Sequence, residues 1–388
     1  MDQKSAHDSR VGSAESFPDH SITPTTLQSR LPHDPVTRAR GRAAKSNASG
    51  RFEKASREIV DDGWGYAEEA KPLRTNIHHE NIKSIISRND SPDISFDQSI
   101  NPYRGCEHGC IYCYARPSHA YLGHSPGLDF ETELYAKTDA AQVLEKELAD
   151  PAYVCKTTAL GANTDPYQPI EDRHEITREI LQVLARTKHP VGIVTKSASI
   201  VRDIDILAPM ARDGLVKVAL SITTLNRKLA RTMEPRAATP AKRLAAVQAL
   251  SDAGIPTSVM VAPIIPGLTD HEMDAILQRA AQAGAREAGY VVLRMPHEIK
   301  QLFREWLEDE QPDRAKRVIS LLQSMHAGRD YRSRFGVRQT GSGPFADLIA
   351  RRFRLALKRH NLDRRRLQLR TDLFERPTRV GGQFELTL

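Results

Sequence analysis

Six short apolar runs, separated by stretches of helical periodicity, constrain this chain more than any other feature. They are "DISFDQSI" (93 to 100), "AYVCKTTAL" (152 to 160), "VGIVTKS" (191 to 197), "VKVALSITT" (216 to 224), "TSVMVAPII" (257 to 265) and "GYVVLRMP" (289 to 296). Runs this short and rich in β-branched residues read as strands buried on both faces of a parallel sheet. "DRHEITREILQVLART" offers Asp172 as an N-cap with Glu175 three residues on, a capping-box spacing. Thr239 before Pro240 opens a further helix that Gly254 stops, and Thr269 and Gly284 repeat the arrangement. Such alternation implies right-handed crossovers. Six βα units are too few for a closed eight-stranded barrel, so the expected fold is α/β, a partial (βα)6 TIM barrel. Its chemistry should gather at the carboxyl ends of the strands.

On both sides of this core, expected over residues 76 to 330, the composition changes. Residues 1 to 75 are rich in Ser, Pro, Arg, Asp and Ala and read as a mostly disordered arm. A basic stretch at 30 to 57 within it is either a solvated tail or a phosphate-binding arm. Residues 331 to 388 read as a basic, helical C-terminal extension. In it Phe345, Leu348, Ile349, Phe353, Ala356 and Leu357 share one helical face, with Arg351, Arg354 and Lys358 opposite. The net charge of +7 permits a nucleic-acid partner without requiring one. No apolar run is long enough to span a membrane, and the first 20 residues have no apolar core of the secretory kind. A cytoplasmic protein with no membrane partner is expected.

Three of the four cysteines fall within "NPYRGCEHGCIYCYARPSH", residues 101 to 119, directly after the first expected strand. Cys106, Cys110 and Cys113 are spaced C-x3-C-x2-C, and Tyr112 precedes the third. Clustered cysteines in a chain that is no disulfide scaffold point to metal. Soft thiolates select zinc or an iron–sulfur cluster. A closed zinc site needs a fourth ligand, which His108, His119 or His124 could supply, but the chain has no second paired knuckle. The fourth cysteine, Cys155, reads as a small hydrophobe at a strand edge.

The C-x3-C-x2-C loop, its aromatic residue and its place after the first strand resemble the signature of the radical S-adenosylmethionine (SAM) superfamily. "NDSPDISFDQSINPYRGCEHGCIYCYARPSHAYLG" and "TDPYQPIE" resemble its spore photoproduct lyase-related, DNA repair photolyase-like bacterial branch. The resemblance implies that Cys106, Cys110 and Cys113 hold three irons of a [4Fe–4S] cluster whose fourth iron binds S-adenosylmethionine. Reductive cleavage would then give a 5′-deoxyadenosyl radical that abstracts hydrogen from a substrate. It also implies an electron donor of the reductase, flavodoxin or ferredoxin type.

For the cofactor, the resemblance points to Thr164 and Asp165 after the second strand and to Lys196 after the third. Ser221 ends the fourth strand, with Thr223 close behind. Ala262 and Pro263 of the fifth would line the adenine, near the backbone of Tyr112. A turn at Asp165 and a helix start at Glu171 are the plainer readings of those two acids. Thymine-dimer repair is not expected. The branch's repair enzymes carry a further catalytic cysteine where this chain has Ala162 or Asn163. The substrate is left unknown, with nucleic acid as one candidate. Two alternatives stand beside this reading: a nucleic-acid-associated protein with a structural or redox-sensing cluster, and a radical enzyme acting on a peptide or protein.

Overall fold

Five of the six apolar runs contain a strand and the sixth overlaps one, so the alternation seen in the sequence is the architecture of the chain. The computed structural model describes residues 42–52, 74–363 and 367–378. In chain order the strands are β1 (Asn76–His79), β2 (Ile86–Arg88), β3 (Gln98–Ile100), β4 (Tyr103–Arg104), β5 (Glu133–Ala136), β6 (Thr158–Leu160), β7 (Val191–Thr195), β8 (Val216–Ser221), β9 (Thr257–Ile264) and β10 (Glu287–Val292). Seven of them form one sheet in the order β10-β9-β8-β7-β6-β3-β2. Its pairings are parallel except that of β2 with β3. Six parallel strands joined by helices make this an α/β fold. The remaining three strands form a small side sheet, β1-β5-β4, beside the cysteine loop.

The main sheet is open, with β10 and β2 at its edges. Residues 331–341 touch both edges. The N–H of Val292 donates to Gln339 O (2.7 Å), while Gly336 N–H and the Arg338 guanidinium hold Asp93 in the turn between β2 and β3 (2.7 and 2.5 Å). Strand residues such as Leu160, Val218, Leu220, Val259 and Val261 are buried against helical Ile180, Leu184, Val247 and Ile276.

Two of the expected helix starts form. Thr239 caps Pro240–Asp252 by accepting from Lys242 N–H (3.4 Å), and Met273–Gln282 follows a short 3-10 turn after Thr269. The expected capping box at Asp172 and Glu175 does not form. Glu171–His174 is a separate helical turn, and Glu175 follows it at φ 48°. Helix Ile176–Arg186 is instead capped by the Glu171 carboxylate, which accepts from the N–H groups of Thr177 (3.0 Å) and Arg178 (3.3 Å). Helices Ile299–Glu310 and Pro312–Met325 were not read from the sequence.

The chain on either side of the core is tied to it. In the N-terminal segment, the buried Arg42 donates to Glu131 O (2.6 Å) and Thr75 Oγ1 (2.9 Å). Asn47 pairs with Asp129, and Arg51 reaches Glu298 (2.8 Å). The rest of the expected basic stretch, residues 30–41 and 53–57, lies outside the described residues. At the C-terminal end, helix Pro344–Arg359 buries Ile349, Phe353 and Ala356, with Phe345 and Leu357 partly covered. Leu348, expected on that face, is 46 % exposed because the buried stripe is narrower than the sequence suggested. Residues 367–378 then run along the amino ends of the strands. Leu367 N–H donates to Glu287 (2.7 Å) and Arg370 N–H to Gly214 O (3.1 Å). Among the described residues no helix is long and apolar enough to cross a membrane.

Candidate functional site

The cysteine loop leaves β3 at the carboxyl end of the sheet and is folded by local turns. Gly109 N–H donates to Cys106 O and Cys113 N–H to Cys110 O, both at 3.2 Å. Gly109 has φ +64°, and a Cβ there would lie 2.6 Å from a Glu131 oxygen, so only glycine fits. Cys106 and Cys110 are buried and Cys113 is partly so.

A buried ion pair holds the loop's shape. The guanidinium of Arg116 spends all five N–H donors: on Cys110 O (2.9 Å), Gly109 O (3.0 Å), Pro126 O (3.1 Å), Gly127 O (2.8 Å) and the Glu131 carboxylate (2.5 Å). Glu131 also accepts from the N–H groups of Ala43 (3.3 Å) and Ala44 (3.0 Å), which joins the N-terminal segment to the loop.

Burial pushes the Cys106 thiol well above the ordinary range, and the neighbouring Asp165 and the other two thiols add to it. Burial likewise pushes Cys110 up to about 12, against the pull of the Lys196 ammonium. Without a metal these sulfurs are neutral thiols, and a metal must displace their protons. The donor set is soft, gathered in one loop, and fits an iron–sulfur cluster. Among the described residues no three His, Cys, Asp or Glu side chains converge as one metal ion would require. A cubane differs in giving each thiolate its own iron.

The strand ends facing the loop bring the other expected residues together. Asp165 is the most heavily used. It accepts from Thr195 Oγ1 (2.7 Å), Lys196 N–H (2.7 Å) and Tyr167 N–H (3.0 Å), and lies 3.3 Å from His108 Nδ1. Burial pushes its carboxyl up, but these partners, His108 foremost, hold it down at about 2. With four protein groups on it, Asp165 fixes the end of β7 and the cysteine loop. Thr164 is spent similarly, donating to Tyr103 O (2.8 Å). The turn that brings both there needs Gly161, at φ +87°, where a Cβ would sit 2.5 Å from Val194 O.

Lys196 carries its ammonium 5.7 Å from the centre of the Tyr112 ring and has no carboxylate partner among the described residues. Ser221 ends β8, buried, with its carbonyl held by Arg243 (2.9 Å). Ala262 lies within β9, and Ala262 O accepts from Thr223 Oγ1 (3.1 Å). Glu171 sits away from this group. It is spent on Tyr103, Arg202 (2.9 Å) and the helix cap, in keeping with the plainer of the two readings. Cys155 stands apart and half-buried, its thiol pushed up to about 11 by burial. The Tyr114 hydroxyl donates to the carbonyl of Ala162, one of the two positions, with Asn163, at which the extra cysteine is lacking.

Arginine–aromatic pairs flank the loop. The Arg294 guanidinium, just past β10, lies 4.7 Å from the centre of the Tyr114 ring. Arg51 lies over Phe52 and Tyr121 (5.3 and 6.0 Å), both exposed.

Comparison with known proteins adds a family and a similar fold. The sequence profile of the radical SAM superfamily matches residues 100–280. An uncharacterized protein of Mycobacterium tuberculosis (strain ATCC 25618 / H37Rv) is 39% identical over 248 residues, which are 63% of this chain and 73% of that one. A protein of Pseudomonas phage M6 named radical SAM Nalpha-GlyT isomerase is 26% identical over 60% of this chain and 48% of its own length. Among solved structures, spore photoproduct lyase complexed with dinucleoside spore photoproduct is similar in fold, with a TM-score of 0.53 and 17% identity. The match covers 73% of this chain and 79% of that one.

Proposed function

The chain belongs to the radical SAM superfamily, and from that premise we propose that it is an enzyme that cleaves S-adenosylmethionine reductively to abstract hydrogen from a substrate. The observation that carries the proposal is the buried C-x3-C-x2-C loop at the carboxyl end of the parallel sheet, facing Lys196, Ser221 and Ala262 across the strand ends. Cys106, Cys110 and Cys113 would hold a [4Fe–4S] cluster. When bound, that cluster supplies the electron that breaks the cofactor's C5′–S bond, drawn from a reductase, flavodoxin or ferredoxin-type donor.

The protein's own contribution is placement. Lys196 is the cation for the cofactor carboxylate, since its ammonium is not spent on a protein acid. The Ser221 and Thr223 side chains and the Ala262 backbone form the wall for its ribose and adenine, with Tyr112 on the loop side. Thr164 and Asp165 act one layer back. Their oxygens are engaged by protein groups, and they set where the Lys196 backbone and the cysteine loop lie.

For the substrate we favour nucleic acid. The arginine-capped aromatic rings beside the cysteine loop are surfaces on which bases stack. The related fold of spore photoproduct lyase holds a dinucleoside. The test of the cluster assignment is iron content after anaerobic reconstitution, expected at about four per chain for one cubane. Cys106→Ala, Cys110→Ala and Cys113→Ala should each lose it, and Cys155→Ala should keep it. Stoichiometric zinc without iron would defeat the assignment.

A further inference from the structure

The cysteine loop is gripped from outside the sheet by the short segment that follows helix Arg227–Met233. Met233 O accepts from Ile111 N–H (2.9 Å), and Arg236 holds the loop twice, through its N–H to His108 O (3.4 Å) and its guanidinium to Glu107 (2.9 Å). Between them Glu234 accepts from the Tyr112 hydroxyl. These three residues therefore touch the loop at Glu107, His108, Ile111 and Tyr112.

From Glu234 the contacts run on to the strand ends. Its other oxygen accepts from Arg243 (2.6 Å), and both side chains are fully buried. Arg243 donates in turn to Ser221 O (2.9 Å) at the end of β8 and to Ala238 O (2.7 Å). On the other side, Thr223 Oγ1 lies 3.1 Å from both Tyr112 Oη and Ala262 O in β9 and gives its one proton to either. The Tyr112 hydroxyl is thus the joint at which the cysteine loop, β8 and β9 meet.

We infer that Glu234, Arg243 and the Tyr112 hydroxyl are positioning residues that set the distance between the cysteine loop and the cofactor wall. This rests on the function proposed above. A buried ion pair is a poor way to gain stability alone, because desolvation of both charges offsets their attraction. It does hold groups in one geometry when every donor and acceptor is used. Here each partner reaches a different wall of the site. A cofactor bound at the cluster and against Ser221 and Ala262 must span that distance, so slack in the joint weakens its binding without freeing the thiols.

Tyr112→Phe removes the hydroxyl and leaves the ring, the cysteines and the Glu234–Arg243 pair in place. The measurement is S-adenosylmethionine binding by equilibrium dialysis on the anaerobically reconstituted full chain, with iron content determined on the same samples. The expected result is wild-type iron with affinity about tenfold weaker, the effect of one charge-assisted hydrogen bond. The change that the cofactor induces in the electron paramagnetic resonance spectrum of the reduced cluster should be altered as well. Glu234→Gln keeps one acceptor where the carboxylate offers two, so it cannot serve both Tyr112 and Arg243 and should weaken cofactor binding as well. Wild-type affinity and spectrum in Tyr112→Phe would overturn the inference alone. Loss of iron in that variant would also overturn it, since the joint would then serve the ligand loop itself. Failure of the iron-loaded wild type to bind the cofactor would instead sink the proposed function, and this inference with it.

Discussion

Asp165 shows how one residue can be found in the sequence while the partners that hold it stay hidden. "NTDPYQPIE" drew attention because a polar group after the second parallel strand faces the site. Nothing local indicates that Thr195, Lys196 N–H, Tyr167 N–H and His108 converge on that carboxylate, since His108 is 57 positions upstream and Lys196 is 31 downstream. The two residues should therefore separate in experiment. Asp165→Ala strands buried donors and should cost about 2–4 kcal/mol of stability, seen as a lowered melting temperature of the metal-free chain. Lys196→Ala should leave the melt unchanged and weaken cofactor binding, because its ammonium lacks an acid partner among the described residues. Equal melting temperatures for the two variants would contradict the division of roles. The cysteine cluster was legible because its spacing is local. Arg116, Glu131, Glu234 and Arg243 were not, because a charged residue in an unremarkable stretch reads as surface until its distant partner is known.

Among the elements, strands and helix starts carried clear signals, and the exceptions have physical causes. The capping box at Asp172 was a correct spacing in the wrong place, because the left-handed turn at Glu175 restarts the helix and Glu171 takes over the cap. Helices Ile299–Glu310 and Pro312–Met325 carried no motif that separated them from the core. Helix Pro344–Arg359 was read correctly as amphipathic, and the fold divides its cations. Arg352 and Arg359 bind Asp270 (3.4 Å) and Asp274 (2.8 Å), which docks the helix. Arg351, Arg354 and Lys358 face outward, beside the exposed Leu355. The run Arg364 to Arg366 lies outside the described residues. The nucleic-acid reading predicts binding that weakens steeply with salt. Replacing Arg351, Arg354 and Lys358 by Gln should flatten the log–log salt slope by about 2–3, at close to one unit per phosphate contact. An unchanged affinity and slope in titrations with single- and double-stranded DNA and RNA would leave this helix as a cap on the sheet.

At the scale of the whole molecule, the sequence conveyed the parallel core but not how its ends are used. Composition made residues up to 75 read as a mostly disordered arm. Yet Ala43 and Ala44 are buried, and their N–H groups end on the Glu131 carboxylate that neutralises Arg116 behind the cysteines. Within residues 42–52, small residues pack closely through backbone hydrogen bonds, which no hydropathy pattern records. The same holds at the other end, where residues 367–378 follow the amino ends of the strands. The described chain thus encloses its cysteine loop from several sides: the N-terminal segment, the 233–236 clasp and the strand ends. Such an arrangement suits chemistry that must exclude water. The most direct test of this account is chemical. Reconstituted protein, reduced with dithionite under anaerobic conditions and given S-adenosylmethionine, should form 5′-deoxyadenosine and methionine in equal amounts, and the Cys106→Ala, Cys110→Ala and Cys113→Ala variants should form neither. A fully iron-loaded, reduced protein that binds the cofactor yet yields no 5′-deoxyadenosine would contradict the account.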